Sequence, residues 1–417
     1  MLKRKIFLPL VTIATLGGMS IPLISCNSGG DKPGPEPEPE TALCFTDIAD
    51  GSGTNFTYHI QTPQLTKASN DDLEIDIEYS YDESNWDDWD GTELPVEDGQ
   101  KVYIRNTTNT LSVEDYYFVF SANNYFNASG NIKSLINNSE PSAYCFAGLF
   151  GLCTTLVDAS RLVLPSTLAE SCCSGMFSGC IALTGAPQLP ATTLANGCYA
   201  SMFLWCTSLT EAPALPARTL ALDCYSLMFM MCTSLETAPV LPAAALTYQC
   251  YMMMFEGCIT LEEAPELPAE SLAEECYENM FTECTSLTSA PELPAQELAA
   301  SCYACMFEEC SSLIDAPKLP AENLACGCYN GMFRGCSSLE HGPKISAQTL
   351  DEMCCYLMFQ NCEALKVSEA EEGDDDNLIC DFTNVDLTPD QCVEGMFKNT
   401  GGTFEGETPT QKKYYWN

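Results

Sequence analysis

Cysteine, which can act as a nucleophile or as a metal ligand, is unusually frequent in this chain. Twenty-six of the 417 residues are cysteine, whereas only His59 and His341 are histidine. Cys302 and Cys305 have the Cys-x-x-Cys spacing of thiol oxidoreductases, but those enzymes carry the pair after the strand of a βαβ unit. A thiol hydrolase would need a neighbouring histidine as its base. A thiol-dependent enzyme is therefore the weakest interpretation, and we expect no catalytic residue, cofactor or metal site.

The cysteines follow a fixed period instead. One set recurs at every twenty-sixth position, and a second set stands eight residues after it. The first set is Cys172, Cys198, Cys224, Cys250, Cys276, Cys302, Cys328 and Cys354, and the second is Cys180, Cys206, Cys232, Cys258, Cys284, Cys310, Cys336 and Cys362. Variant units around Cys145 and Cys392 open and close the series. Such a period is typical of stacked repeats, in which each slot becomes a column through a shared core.

Within one repeat the spacing predicts a short helix and a short strand. Leu220, Cys224, Met228 and Cys232 fall four residues apart, which suits one face of a helix over Ala221–Met230. In the preceding repeat, "SLTEA" at 208–212 is the best candidate for a strand of a parallel sheet, because the proline that follows cannot donate to a ladder. The predicted fold class is therefore α/β, a solenoid of about ten coils with a 26-residue period.

The repeat also resembles a known unit. "MFSGCIALTGAPQLPA", Met176 to Ala191, is similar to the repeat of BspA-type leucine-rich repeat proteins, a group of exported bacterial surface proteins. The segment from Tyr79 to Ile136 looks like the β module that often precedes such repeats. The resemblance implies a leucine-rich-repeat solenoid with an adhesive or binding role, in some members toward host matrix proteins. The longer unit, the methionine in a common alanine slot and the regular cysteine before tyrosine depart from the family pattern.

The N-terminus has the layout of an export signal. Three basic residues, Lys3 to Lys5, precede an apolar run over 6–24 that ends in "LISC" at Cys26. This ending resembles the lipobox of bacterial lipoproteins, which implies a signal peptide over 1–25 and lipidation of Cys26. Residues 26–40, rich in proline, glutamate and glycine, predict an extended tether. The alternatives are an uncleaved anchor or an ordinary signal peptide, and each places the body in the cell envelope outside the cytoplasm.

Residues 41–140 predict a small antiparallel β domain before the solenoid at 141–400. Segments with a period of two, typical of half-buried strands, are separated by turn residues. They are Phe56–Ile60, Leu73–Tyr81, Lys101–Arg105 and Tyr116–Phe120. The acidic turn Asp82–Gly91 contains two tryptophans, so a calcium-binding or carbohydrate-binding function of this domain is an alternative to binding by the solenoid. A solvated turn whose tryptophans fold onto the sheet is favoured, because the spacing matches no calcium loop.

Two further segments complete the predicted organisation. An acidic insertion at 366–380 contains "EAEEGDDDN", which is typical of a solvated loop and not of a calcium site, since its crowded charges repel one another. Residues 401–417 are predicted to be a C-terminal tail.

The charge restricts the class of partner. The formal net charge is −41, which excludes nucleic acid and makes the lipid the only predicted membrane attachment. A solenoid recognises ligands through variable exposed positions, so the expected partner is a protein or peptide, such as a host matrix or mucosal protein. The candidate binding residues are Thr210, Glu211, Glu236, Thr237, Glu262, Glu263, Glu266, Glu292, Asp315 and Lys318. Their acidity favours a cationic partner, although a merely solvated face explains it equally well.

Overall fold

The computed structural model describes residues 41–416 apart from 63–72, 74, 370–376 and 405. Its N-terminal part forms eight strands. Three of the four segments with a period of two lie almost entirely within strands, which confirms those predictions, whereas the prediction at Leu73–Tyr81 is confirmed only over Ile77–Ser80. The strands are β1 (Leu43–Asp47), β2 (Thr54–Gln61), β3 (Ile77–Ser80), β4 (Asp87–Asp88), β5 (Leu94–Val96), β6 (Lys101–Asn106), β7 (Tyr117–Ala122) and β8 (Phe126–Asn131). A 3-10 helix, Ile132–Ile136, follows β8.

These strands form two sheets that share an aromatic core. One sheet has the order β4-β3-β6-β1-β8, and the other has the order β5-β2-β7, all antiparallel. Phe45 of β1 stacks on Phe56 of β2 with ring centroids 4.9 Å apart, and Phe126 of β8 meets Phe56 edge to face at the same distance. Aromatic side chains from both sheets thus meet in the core beside aliphatic ones such as Ile104, and each aromatic ring buries a large apolar area.

The predicted boundary at 140 does not separate two cores. Strand β9 (Leu156–Val163) lies beyond it, yet β9 pairs in parallel with β8 and extends the first sheet to six strands. Phe150 lies 5.8 Å from Phe120 of β7, ring centroid to ring centroid. The β domain therefore continues directly into the repeats through one sheet and one aromatic core.

Each repeat contains a run of consecutive turns. The first, fifth and ninth residues of each run have positive φ, whether or not they are glycine. The ten runs are 144–153, 171–180, 197–206, 223–232, 249–258, 275–284, 301–310, 327–336, 353–362 and 391–400, and we call them together the turn ladder. In the run at 223–232, the amide of Cys224 donates to the carbonyl of Ala221 and the amide of Ser226 donates to that of Asp223. The alternate amides, such as that of Tyr225, donate to carbonyls of the next repeat.

The helix predicted over Ala221–Met230 is therefore wrong, and the described residues contain no α-helix. A turn repeated every four residues places Leu220 and Cys232 on the same interior side as a helix would, so the pattern could not distinguish the two. An α-helix also needs every amide for its own i−4 carbonyl. Here alternate amides, such as that of Leu227 to the carbonyl of Met252 at 2.8 Å, link neighbouring repeats instead.

The strand predicted at 208–212 is also reduced to one bridge. Glu211 pairs in parallel with Thr237, and comparable single bridges join later repeats. Most of the segments that follow contain two prolines, Pro213 and Pro216 in this repeat, which lack the amide that a continuous ladder requires. The described residues therefore show no continuous parallel sheet along the repeats.

The interior of the repeats consists of columns of identical side chains. Phenylalanine rings from Phe150 to Phe397 stack within 7° of parallel at centroid separations of 5.4–5.8 Å. Tyrosine rings from Tyr199 to Tyr329 form a second column with separations of 5.8–6.1 Å. The cysteines of both periodic sets are buried beside them. No single repeat could bury these side chains alone, so their stability depends on neighbours.

A small sheet covers the last repeats. It consists of β10 (Lys366–Ser368), β11 (Leu378–Asp381), β12 (Gly401–Gly402) and β13 (Lys413–Trp416), in the order β11-β13-β10-β12. The predicted insertion at 366–380 is thus too wide, because its two ends are strands that bury Val367 and Ile379. The 401–417 segment is not a free tail, since Tyr414 of β13 is buried against Phe397. Residues 370–376, most of the expected solvated loop, lie outside the described residues.

Candidate binding surfaces

The ten candidate residues all lie exposed on one segment of the repeats. We call this surface the proline face, because its residues flank the Ala-Pro and Leu-Pro dipeptides. Each is exposed, whereas the leucines beside them, Leu209 and Leu215 for example, are buried. The members are Thr210, Glu211, Glu236, Thr237, Glu262, Glu263, Glu266, Glu292, Asp315 and Lys318. Side chains 26 residues apart occupy equivalent positions, so the face presents rows that run across the repeats.

Backbone bridges hold one of these rows in register. Ser289 pairs with Glu263 on one side and with Asp315 on the other, and Asp315 pairs in turn with His341. The Nδ1 atom of His341 lies 2.7 Å from the Oδ1 atom of Asp315. From the sequence alone, His341 is a candidate only for the base of a thiol hydrolase. The period of 26 from Asp315 was the signal that could have placed it in this row.

The charge of the proline face changes sign along the chain. Glu266 and Glu292 occupy the position that Lys318 and Lys344 occupy in the next two repeats, and all four side chains are exposed. Lys344 was missed in the sequence, although it stands 26 residues after Lys318. A partner that lies along this row would therefore meet negative charge first and positive charge at the C-terminal end.

The acidic turn of the β domain uses its carboxylates locally. Asp82 accepts hydrogen bonds from the amides of Ser84 and Asn85, which hold the pKa of its carboxyl well below the usual range. The Trp89 side chain is buried, and its indole nitrogen donates to the carbonyl of Thr92 at 2.7 Å. The described residues contain no group of three or more His, Cys, Asp or Glu side chains suited to a metal ion.

Trp86 of the same turn lines a cavity of about 430 Å³. The guanidinium of Arg105 lies over its ring, 4.1 Å from the centroid, and pairs with Glu78. Glu83 accepts hydrogen bonds from the amides of Thr41 and Ala42 at the same cavity, each at 3.1 Å. One face of the Trp86 ring is thus covered, and the charged groups of Arg105 and Glu83 already have partners. The turn therefore anchors the start of β1, and only the remaining polar residues that line the cavity are available to contact a sugar.

The thiols of the "CYAC" segment are not activated. Cys302 is buried and Cys305 is half-buried. Burial raises the pKa of the Cys302 thiol to about 12. Burial and the neighbouring Glu308 carboxylate together raise the pKa of the Cys305 thiol to about 12. Both thiols are therefore protonated at neutral pH, whereas thiol catalysis needs a thiolate. His341, the histidine of the repeats, contacts Asp315 and Trp416.

The turn ladder carries a cluster of carboxylates that the sequence alone does not reveal. Glu256 lies close enough to Glu283 and Glu308 to be repelled by both. Burial, with this repulsion, raises the pKa of Glu256 to about 7, and burial beside Glu275 raises the pKa of Glu278 to the same value. These residues come from three repeats, so only the register of the turn ladder brings them together.

The comparisons with known proteins add no relative. No protein-family model matches the chain, no curated protein matches it, and no solved structure matches its fold. Cys26, the predicted lipidation site, lies outside the described residues. Within the residues that are described, no helix is long and apolar enough to cross a membrane.

Proposed function

We propose that the chain is a lipid-tethered protein of the bacterial cell envelope whose repeats form a leucine-rich-repeat solenoid that binds a protein or peptide at the cell surface, without catalysis. The observation that carries this proposal is the contrast between columns and rows in the repeats. Phenylalanine, tyrosine and cysteine columns are occupied in packing, whereas the proline face varies from repeat to repeat and is exposed. Variable exposed positions on a repeated scaffold are where such proteins recognise partners.

The sign of the charge supports a cationic partner for the central part of the proline face. Glu236, Glu262 and Glu266 are exposed carboxylates in adjacent repeats, and the described ion pairs include none of them. Exposed charges of one sign set the rate of encounter and its salt dependence more than the packing of the complex. A matrix or mucosal protein with a basic surface has the matching chemistry.

The test begins with the full-length protein immobilised and exposed to purified host matrix proteins and mucosal secretions. Binding of the captured protein is then measured for the parent and for a variant that replaces Glu236, Glu262 and Glu266 with lysine. We expect folding to be retained, since surface changes cost within about 0.5 kcal/mol each, while affinity falls and its salt dependence weakens. Unchanged binding by this variant, combined with loss in a Trp86→Ala variant, would move the function to the β domain and its cavity.

Anchoring is tested separately at Cys26. Replacing Cys26 with alanine removes the thiol that lipidation requires, so the protein should leave the membrane fraction or accumulate as an uncleaved precursor. A variant that is processed and fractionates like the parent protein would refute the lipoprotein assignment without affecting the binding proposal.

A further inference from the structure

A second surface, on the turn ladder, changes from apolar to acidic between neighbouring repeats. At the eighth position of the runs, Met230 is followed in the next repeat by Glu256. At the fourth position, the buried Met252 is followed by the half-buried Glu278. The eighth-position row then continues through Thr282 to Glu308. Methionines therefore precede glutamates along one backbone scaffold, and we call the two parts the apolar half and the acidic half.

The acidic half lacks cations to balance it. Arg334 pairs with Glu308, its Nε lying 2.9 Å from Oε1, and is the one cation among the described ion pairs that reaches the cluster. Glu256, Glu278 and Glu283 take part in none of those ion pairs. Like charges held close together repel, so a bound cation would relieve an unfavourable interaction that the free protein retains.

The apolar half consists of adaptable side chains that are incompletely buried. Trp205, Met230, Met231 and Met253 are each half-buried. The thioether of Met231 lies over Gly257, where a β-carbon would come within 2.3 Å of the sulfur atom. Methionine is flexible and polarisable, and methionine-rich surfaces bind apolar side chains of different shapes.

We infer that this surface, from Trp205 to Glu308, binds a basic amphipathic segment of a partner protein, with apolar side chains on the methionines and lysine or arginine side chains on the glutamates. The acidic charge excludes nucleic acid and anionic lipid as occupants. Successive repeats are 5.5–5.8 Å apart along the phenylalanine column, from Phe203 to Phe307 in four steps. A helix of roughly 15 residues, about 22 Å long, would cover the surface.

The experiment uses a fluorescent synthetic peptide of sixteen residues, helical in design, with leucine and tryptophan along one half and lysine along the other. Its anisotropy is measured against the full-length protein at low and at physiological salt. In the first variant Glu256, Glu278 and Glu283 are replaced with glutamine. In the matched control three exposed glutamates of the β domain, Glu93, Glu97 and Glu114, are replaced with glutamine. We expect the first variant to bind at least tenfold more weakly and the control to change less than twofold.

A second pair of measurements separates the contribution of apolar contacts from that of charge. A peptide with the same lysines but serine in place of leucine and tryptophan should bind at least tenfold more weakly than the amphipathic one, because it cannot use the methionines. Thermal melts confirm that each variant is folded. Equal loss in both glutamine variants, or equal binding of the two peptides, would reduce the interaction to general charge attraction and overturn the inference. The proline-face proposal is unaffected by either result, since its own test measures a captured natural partner.

Discussion

The thiol of Cys284 donates a hydrogen bond to the carbonyl oxygen of Phe255 in the preceding repeat, with the sulfur 3.1 Å from the oxygen. The same contact recurs at 3.0–3.2 Å for the second cysteine of each repeat from Cys180 to Cys362. The same carbonyl also accepts the amide of Cys258 in its own repeat. The second column of cysteines is thus a column of small, buried donors that links neighbouring repeats.

Replacing cysteine with serine should therefore cost different amounts of unfolding free energy in the two cysteine columns. In Cys284→Ser the hydroxyl inherits a well-placed acceptor, so we expect a loss of less than about 1 kcal/mol in unfolding free energy. Cys276 of the same repeat has only a distant carbonyl, that of Cys302 at 4.0 Å, so Cys276→Ser buries a poorly paired hydroxyl and should cost about 1–3 kcal/mol. Urea unfolding of both variants under reducing conditions measures the difference. Equal costs would show that the thiol donor has no specific role.

The oxidation state of the cysteines is a second prediction. Of the described cysteines, Cys326 is exposed, Cys305 is half-buried and the others are buried. Burial raises the pKa of the Cys232 thiol to about 12, which leaves almost no thiolate to start disulfide exchange. We expect alkylation of the native protein at Cys326 first, and alkylation of most repeat cysteines after unfolding without reductant. Mass spectrometry that finds a majority of them in disulfides would refute this prediction.

The phenylalanine column should carry much of the stability of the repeats. Phe255 is fully buried between Phe229 and Phe281, so Phe255→Ala removes stacking on both sides and leaves a cavity. We expect a loss of about 3–5 kcal/mol in unfolding free energy. Val240, which is 76% exposed, provides the control, and Val240→Ala should change stability by less than about 0.5 kcal/mol. A small effect at Phe255 would mean that the repeats can repack locally.

The positive-φ positions of the turn ladder provide a test of its backbone. Gly257 has a φ of 72°, and a β-carbon there would lie 2.3 Å from the sulfur of Met231. Gly257→Ala should therefore destabilise the protein by about 1–2 kcal/mol, the usual cost of left-handed backbone for a residue with a side chain. The reverse change, Glu309→Gly at a φ of 59° on an exposed residue, should be neutral or slightly stabilising because it removes that cost. Denaturant unfolding of the pair measures both effects.

The sequence predicted the period, the buried columns and the four strands because each is encoded at a fixed spacing along the chain. It did not distinguish the turn ladder from a helix, because both place residues four apart on one side. The available signal was the recurrence of glycine or asparagine at the positive-φ positions, as at Gly331 and Asn361, but Met231 and Leu227 occupy the same positions elsewhere. The glutamate cluster was equally hidden, since Glu256 and Glu283 meet only through the register between repeats.

The Glu256 carboxyl makes stability depend on pH. Its pKa is 4.5 in the unfolded chain and about 7 in the folded protein, because it is half-buried and faces Glu283 and Glu308, the latter paired with Arg334. A carboxyl with a raised pKa contributes stability that is fully present below pH 4.5 and is lost as the pH rises to about 7. Glu256→Gln should therefore stabilise the protein by roughly 1–2 kcal/mol at pH 8 and have little effect at pH 4.

Glu262→Gln is the matched control for this change, because it removes the same charge from the exposed proline face. Unfolding free energies of the parent and both variants are measured in urea at pH 4, 6 and 8. The difference between Glu256→Gln and the parent should grow from pH 4 through pH 6 to pH 8, whereas the control should show no such rise. A constant difference at all three pH values would mean that Glu256 ionises freely in the folded protein, and the acidic half of the turn ladder would then be solvated and carry no repulsion for a basic partner to relieve.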